Sequence, residues 1–124
     1  KRKISNAKAK GRELTKRVRD RLIRIFDLEE EDLRVAVGYE QGEDIKPSKK
    51  ARERLKVSIE CKNHKRLNIF AAIEQAKNNC PKGCDEAVVF KRGEAGAHKT
   101  YICVPLDHYL DIRRALLLYE EEQQ

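Results

Sequence analysis

The chain has no methionine and no tryptophan, and only three prolines among its 124 residues. Without a methionine, residue 1 reads as a cut or processed start. No apolar run approaches the ~18 residues that a membrane-spanning helix needs, and nothing resembles a secretion signal. A soluble, cytoplasmic protein with no membrane partner is expected. Cysteine is scarce in the pattern that would matter for metal. Cys80 and Cys84 make one close pair in "CPKGC", and there is no second pair to complete the usual zinc set. A zinc site from Cys80, Cys84 and the distant His98 is one alternative and a Cys80–Cys84 disulfide another, but free thiols are the first expectation inside a cell. Cys61 and Cys103 sit alone in apolar runs and read as small buried hydrophobes. No internal repeat is present.

Charge is abundant. The chain is 40% apolar and 40% charged, with a net charge of +7. That is enough apolar residue for a modest core and suits one domain. Residues 1–24 hold eleven Lys or Arg against Glu13 and Asp20, and residues 46–66 hold nine against Glu53 and Glu60. Positive charge concentrated in this way is the footprint of a phosphate-backbone binder, although a solvated, highly charged surface would look similar. Candidate phosphate contacts are Lys8, Lys10, Arg12, Arg17, His64, Lys65, Arg66, Lys91, Arg92 and Lys99.

Periodicity predicts the elements. Residues 1–10 carry no pattern and read as a basic flexible arm before a domain at 11–119 and an acidic tail at 120–124. Leu14, Val18, Leu22, Ile25 and Phe26 form a helical stripe over 11–26. "RVAVGYE" (34–40) alternates as a strand, "GEDI" (42–45) suits a short strand after a glycine turn, and 46–55 is a polar connection with room for one helical turn. "KVSIECK" (56–62) is a strand. Residues 67–79 form a helix capped by Asn68. "EAVVFKR" (86–92) and "KTYICVP" (99–105) make a hairpin around "GEAGAH". Asp107 then caps a last helix from 108 to about 119. The order predicts an α/β protein with a mixed central sheet flanked by helices, in which 57–91 form a parallel strand–helix–strand crossover.

The chemistry gathers at the third strand. Glu60 and Lys62 lie two apart and so share one face, opposite Val57, Ile59 and Cys61. Folding back the polar turn after Asp44 brings that acid beside Glu60. Two adjacent carboxylates repel unless a cation lies between them. Hard oxygen ligands suit Mg²⁺, for which one or two protein carboxylates suffice. A lysine beside such an ion can orient or deprotonate water for phosphodiester hydrolysis. Plainer alternatives are an exposed Glu60–Lys62 ion pair, Asp44 as a turn residue, and Glu13 as an i,i+4 partner of Arg17.

"GEDI … SIECK" resembles the PD-(D/E)XK nuclease superfamily, with Asp44 as the first acid and Glu60-Cys61-Lys62 as its E-x-K. "GREL" at 11–14 is similar to the helix-acid segment of archaeal-type Holliday junction resolvases, and 42–79 resembles small phage-encoded resolvase-like endonucleases. The resemblance covers about residues 11–106. It implies a restriction-endonuclease-like fold with an αβββαβ core and Mg²⁺-dependent cleavage of DNA, with Mn²⁺ able to substitute and zinc not expected. It implies that Asp44, Glu60 and the Cys61 carbonyl hold the metal, that Glu13 ligates through water or a second ion, that Lys62 positions the attacking water, and that Gln75 orients Lys62 or the phosphate. Glu43 stands where many members have proline. The implied substrate is a Holliday junction or other branched DNA; a four-way junction has two-fold symmetry and implies a homodimer. Alternatives are a non-catalytic DNA-binding protein on the same fold, or a nicking or packaging-associated phage nuclease.

Overall fold

Leu14, Val18 and Leu22 draw the first helix onto the rest of the chain. The computed structural model describes residues 2–92 and 99–124, the first seven of them by backbone alone. Helix α1 spans Arg2–Ile25, so the backbone of the segment expected to be an unpatterned arm continues the helix. That segment contains no proline or glycine to stop it. Leu14 is buried, and Val18, Leu22 and Ile23 pack against the main core. Ile25 and Phe26, expected in the stripe, are exposed. The helix ends because Asp27 takes a positive φ of 52°, which lets the Leu28 N–H reach back to the Ile23 carbonyl at 2.9 Å and buries Leu28.

Strand β1 (Leu33–Val35) pairs antiparallel with β2 (Ile45–Pro47). The expected strand 34–40 is therefore much shorter. Glu40 turns the chain away after Val35: its carboxylate accepts from Arg34 at 2.6 Å and from the Val37 N–H at 2.8 Å, leaving Val37 and Tyr39 exposed. Ser48 caps the short helix α2 (Lys49–Arg54) by accepting from the Ala51 N–H at 3.1 Å.

Strand β3 (Val57–Lys62) lies parallel to β4 (Asp85–Arg92) through helix α3 (Ile69–Asn79), whose Asn68 cap is present as expected. Strand β5 (Lys99–Cys103) pairs antiparallel with β4. The turn expected at 93–98 lies outside the described residues. Helix α4 (Leu106–Glu122) begins two residues earlier than expected, after Pro105, and continues through the start of the expected tail. Asp107 sits inside its first turn, where a negative charge suits the helix dipole, rather than at the cap.

The structure is mixed α/β, but the strands form two sheets, β1–β2 and β3–β4–β5, instead of one. The break falls at Asp44. Its N–H donates to the Ile59 carbonyl at 3.1 Å, while its side chain accepts the Cys61 N–H at 2.6 Å. A carboxylate occupies the place where a β2 carbonyl would have continued the ladder. In the three-stranded sheet β3 and β4 are covered on both faces, whereas β5 is exposed from Lys99 to Ile102. Ile59, Cys61 and Val89 join the cluster beneath α1, and Val88 and Phe90 pack with Ala72, Ala76 and Ile73 of α3.

Candidate functional site

The alternation of β3 decides what surrounds the acid and base. Val57, Ile59 and Cys61 point toward α1, so Ser58, Glu60 and Lys62 point toward α3. That second face is covered rather than solvated. Glu60 is 1% exposed, which removes the alternative of an exposed Glu60–Lys62 pair. A crossover helix runs antiparallel to the strand before it, so successive turns of α3 meet β3 in reverse order. Asn79 Nδ2 donates to Glu60 Oε1 at 2.9 Å, and Lys62 Nζ donates to Gln75 Oε1 at 2.6 Å. Residues two apart on the strand are thus matched by residues four apart on the helix.

Asp44 is fixed on three sides. Besides its two bonds to β3, its carbonyl accepts from the Ala36 N–H at 2.9 Å. Gly42, with φ of 94°, supplies the turn before it. Glu43, where a proline is common in the resembled family, is buried and ion-paired with Arg52.

Burial pushes the carboxyls of both Asp44 and Glu60 above their usual range. For Asp44 the Cys61 N–H and the charges of Lys62 and Lys46 oppose that rise. For Glu60 the negative charge of Asp44 adds to it, against Asn79, Lys62 and Lys46. Glu60 therefore feels the charge of Asp44, as their folding together requires. Glu60 Oε2 is buried with no hydrogen-bond partner, which is the condition a bound cation would relieve. Burial also pushes the Cys61 thiol up to about 12, so Cys61 contributes its backbone and its packing, not a thiolate.

A cavity of about 1220 Å³ opens beside these residues between α1, the 36–42 loop and α3. Arg12, Tyr39, Asp44, Glu74, Gln75 and Asn79 are among its lining residues. Glu60 and Lys62 stand behind that wall and meet it through Asn79 and Gln75. Asp44, Glu60, Lys62 and Gln75 are thus brought together as expected. Glu13 is not: it is exposed, bonds to Arg17 at 3.3 Å and is not in the cavity wall, because the face of α1 turned to the cavity carries Gly11, Arg12 and Thr15. Asn79 and Glu74 escaped the sequence reading. Asn79 was legible in principle, one helical turn beyond Gln75.

Donor chemistry fits a hard cation bound by few protein ligands. No group of three or more His, Cys, Asp or Glu side chains suited to a metal occurs among the described residues, whereas Mg²⁺ uses one or two carboxylates and keeps its waters. Cys80, Cys84, Cys61 and Cys103 are free thiols, and His98, the proposed third zinc ligand, lies outside the described residues. Of the candidate phosphate contacts, Lys10, Arg12, Arg17, His64, Lys65, Arg66, Arg92 and Lys99 are exposed and Lys91 is half-buried; the side chain of Lys8 lies outside the described residues. Asn63 ties the loop carrying His64, Lys65 and Arg66 to α1, donating to the Lys10 carbonyl at 3.2 Å. No helix among the described residues is long and apolar enough to cross a membrane.

No protein-family model, curated protein or solved structure matches the chain.

Proposed function

We propose that this chain is a Mg²⁺-dependent DNA endonuclease built on a restriction-endonuclease-like core, with branched DNA such as a Holliday junction as its preferred substrate. One observation supports the reading: a buried carboxylate, Glu60, feels the charge of the half-buried Asp44, and both lie near Lys62, whose amine donates to Gln75 at 2.6 Å. Asp44 and Glu60, with the Cys61 carbonyl, would hold the metal, with Mn²⁺ as its substitute. When bound, the ion supplies positive charge against the developing phosphate charge and acidifies water. The Cys61 N–H keeps the Asp44 carboxylate pointed at the site. Asn79 holds one oxygen of Glu60 and leaves the other free. Gln75 fixes the Lys62 amine, which orients the attacking water. Glu13 has no place at the metal while it is paired with Arg17. The exposed cations on α1 and at 64–66 take the phosphate backbone.

The test is a cleavage panel of four-way junction, flap, nicked, duplex and single-stranded DNA with Mg²⁺, Mn²⁺ or EDTA. Cutting that requires Mg²⁺ or Mn²⁺ and favours branched DNA is expected. Cutting in EDTA would contradict the metal role. Tight, metal-indifferent binding with no cutting would establish a non-catalytic DNA-binding protein instead.

The partner that a two-fold substrate calls for is a second copy of the chain, joined through α4 and the edge strand β5. Every residue of α4 except His108 is exposed, including Leu106, Tyr109, Ile112, Leu116 and Leu117. Light scattering should give twice the chain mass, and Ile112→Glu with Leu116→Glu should give the single mass. A parental protein that is monomeric at tens of micromolar would refute the dimer.

A further inference from the structure

Tyr39 is 89% exposed and Phe70 80% exposed, the highest values among the large apolar side chains described. The chain is only 6% aromatic, and its other aromatic rings beside the sheet are used differently: Phe90 and Tyr101 stack on each other with centroids 6.0 Å apart. Nothing in the packing holds Tyr39 or Phe70. Tyr39 lines the cavity that contains Asp44. Phe70 is not itself in the cavity wall, but it precedes Ala71 and lies one turn before Glu74, both of which are. Two rings without a structural task therefore stand on the two elements that border one opening, Tyr39 in its wall on the 36–42 loop and Phe70 next to its wall on α3.

The rest of the opening mixes apolar, polar and charged groups of both signs, with Glu40, Asp44 and Glu74 on its acidic side. Arg12 enters from α1, Gln41, Asn78 and Asn79 add hydrogen-bonding groups, and Lys46 lies close enough for its charge to lower the pKa values of both Asp44 and Glu60. At about 1220 Å³, the space exceeds the ~300–1,000 Å³ of an ordinary small-molecule pocket. Aromatic faces combined with cations along a groove are the means by which proteins hold unpaired nucleic acid, because the π-face of a base becomes available only once it leaves the duplex stack.

We infer that Tyr39 and Phe70 are stacking platforms for unpaired bases, so that the strand presented to Asp44 is single-stranded at the point of attack. This rests on the nuclease reading for the identity of its ligand, and it narrows the substrate to DNA with nucleotides that are unpaired, or become unpaired on binding, at the point of attack, as at a flap or an opened branch point. Tyr39 and Phe70 set specificity and bear no part of the hydrolysis.

The experiment measures binding of labelled oligothymidylate, a flap and a plain duplex in EDTA, where metal-dependent cutting is absent. Both rings are exposed, so Tyr39→Ala and Phe70→Ala should fold like the parent. Each should weaken binding of oligothymidylate and of the flap roughly 5- to 150-fold, the range for one base deprived of its stacking partner, and should change duplex binding less than twofold. Tyr39→Phe should restore binding. The salt dependence should be unchanged in Tyr39→Ala, whereas Arg12→Ala should reduce the slope of log affinity against log salt by about 0.7, the single-strand value for one neutralised phosphate. Weakening confined to unpaired DNA supports the inference whether or not the parent cuts in Mg²⁺. No weakening, or an equal weakening on duplex, overturns it even if the protein proves to be a nuclease.

Discussion

Replacing Glu60 with glutamine should make the metal-free protein more stable while destroying its activity. Glu60 is 1% exposed and one of its carboxylate oxygens is unpartnered. An unsatisfied charged oxygen in such a place costs more than the ~1–3 kcal/mol of a neutral group. The amide of Glu60→Gln keeps an oxygen for Asn79 and leaves a neutral NH₂ in the other position, so the net gain is on the order of 1 kcal/mol. For a chain of this size, that is roughly 3–6 °C in Tm. The pH dependence gives the sign independently. Burial raises the pKa of Glu60 above its unfolded value, so between the two values the folded state binds more protons than the unfolded state. Stability in EDTA must then fall as pH rises from about 4, the unfolded carboxyl value, through the raised value, and stay low above it. Asp44 shifts in the same direction. Thermal unfolding from pH 4 to 8 in EDTA should show the parent losing stability and the variant losing less, with the gap widest near pH 8. Adding Mg²⁺ should raise the parent's Tm and leave that of the variant nearly unchanged. A variant less stable than the parent at pH 8, with Mg²⁺ raising both equally, would refute the reasoning.

Lys62→Ala should lower the saturating cleavage rate by roughly 10²- to 10⁴-fold, and Lys62→Arg should not restore it, because arginine stays protonated and does not fit the single contact to Gln75; single-turnover rates decide this. Lys65→Ala with Arg66→Ala should weaken duplex binding and reduce its salt slope by about 0.9 for each phosphate that is no longer neutralised, read from anisotropy titrations at several salt concentrations. Leu14→Ala removes a side chain that is 2% exposed at the centre of the packing beneath α1 and should cost about 2–5 kcal/mol in chemical denaturation.

The strands and helices around the candidate site were legible because their signals are local. Val57, Ile59 and Cys61 alternate over six residues, and Asn68 marks the start of α3. The pairing of Asp44 with Glu60 followed from a turn folding back. Other features depended on tertiary contacts. Arg34 and Glu40 end β1 early through an ion pair spanning six residues, while the alternation of Val37 and Tyr39 continues past the strand's end. Asp44 divides the sheet with its side chain, which no pattern of apolar residues can encode. Glu13 has the residue type of a helix acid, yet the turn of α1 presents Arg12 to the cavity in its place. Asn79 needed the antiparallel run of α3 along β3 before its partner could be named.

The most direct test of the proposed catalytic centre is single-turnover cleavage of an end-labelled four-way junction at saturating enzyme, comparing the parent with Asp44→Ala in Mg²⁺ and measuring junction affinity alongside. Asp44 provides one of two carboxylates and makes no phosphate contact of its own, so the variant should bind the junction with nearly parental affinity and cut it at least ~10³-fold more slowly, in line with removal of a catalytic metal. Cleavage by Asp44→Ala at the parental rate in Mg²⁺ would contradict the assignment of Asp44 and Glu60 as the metal site.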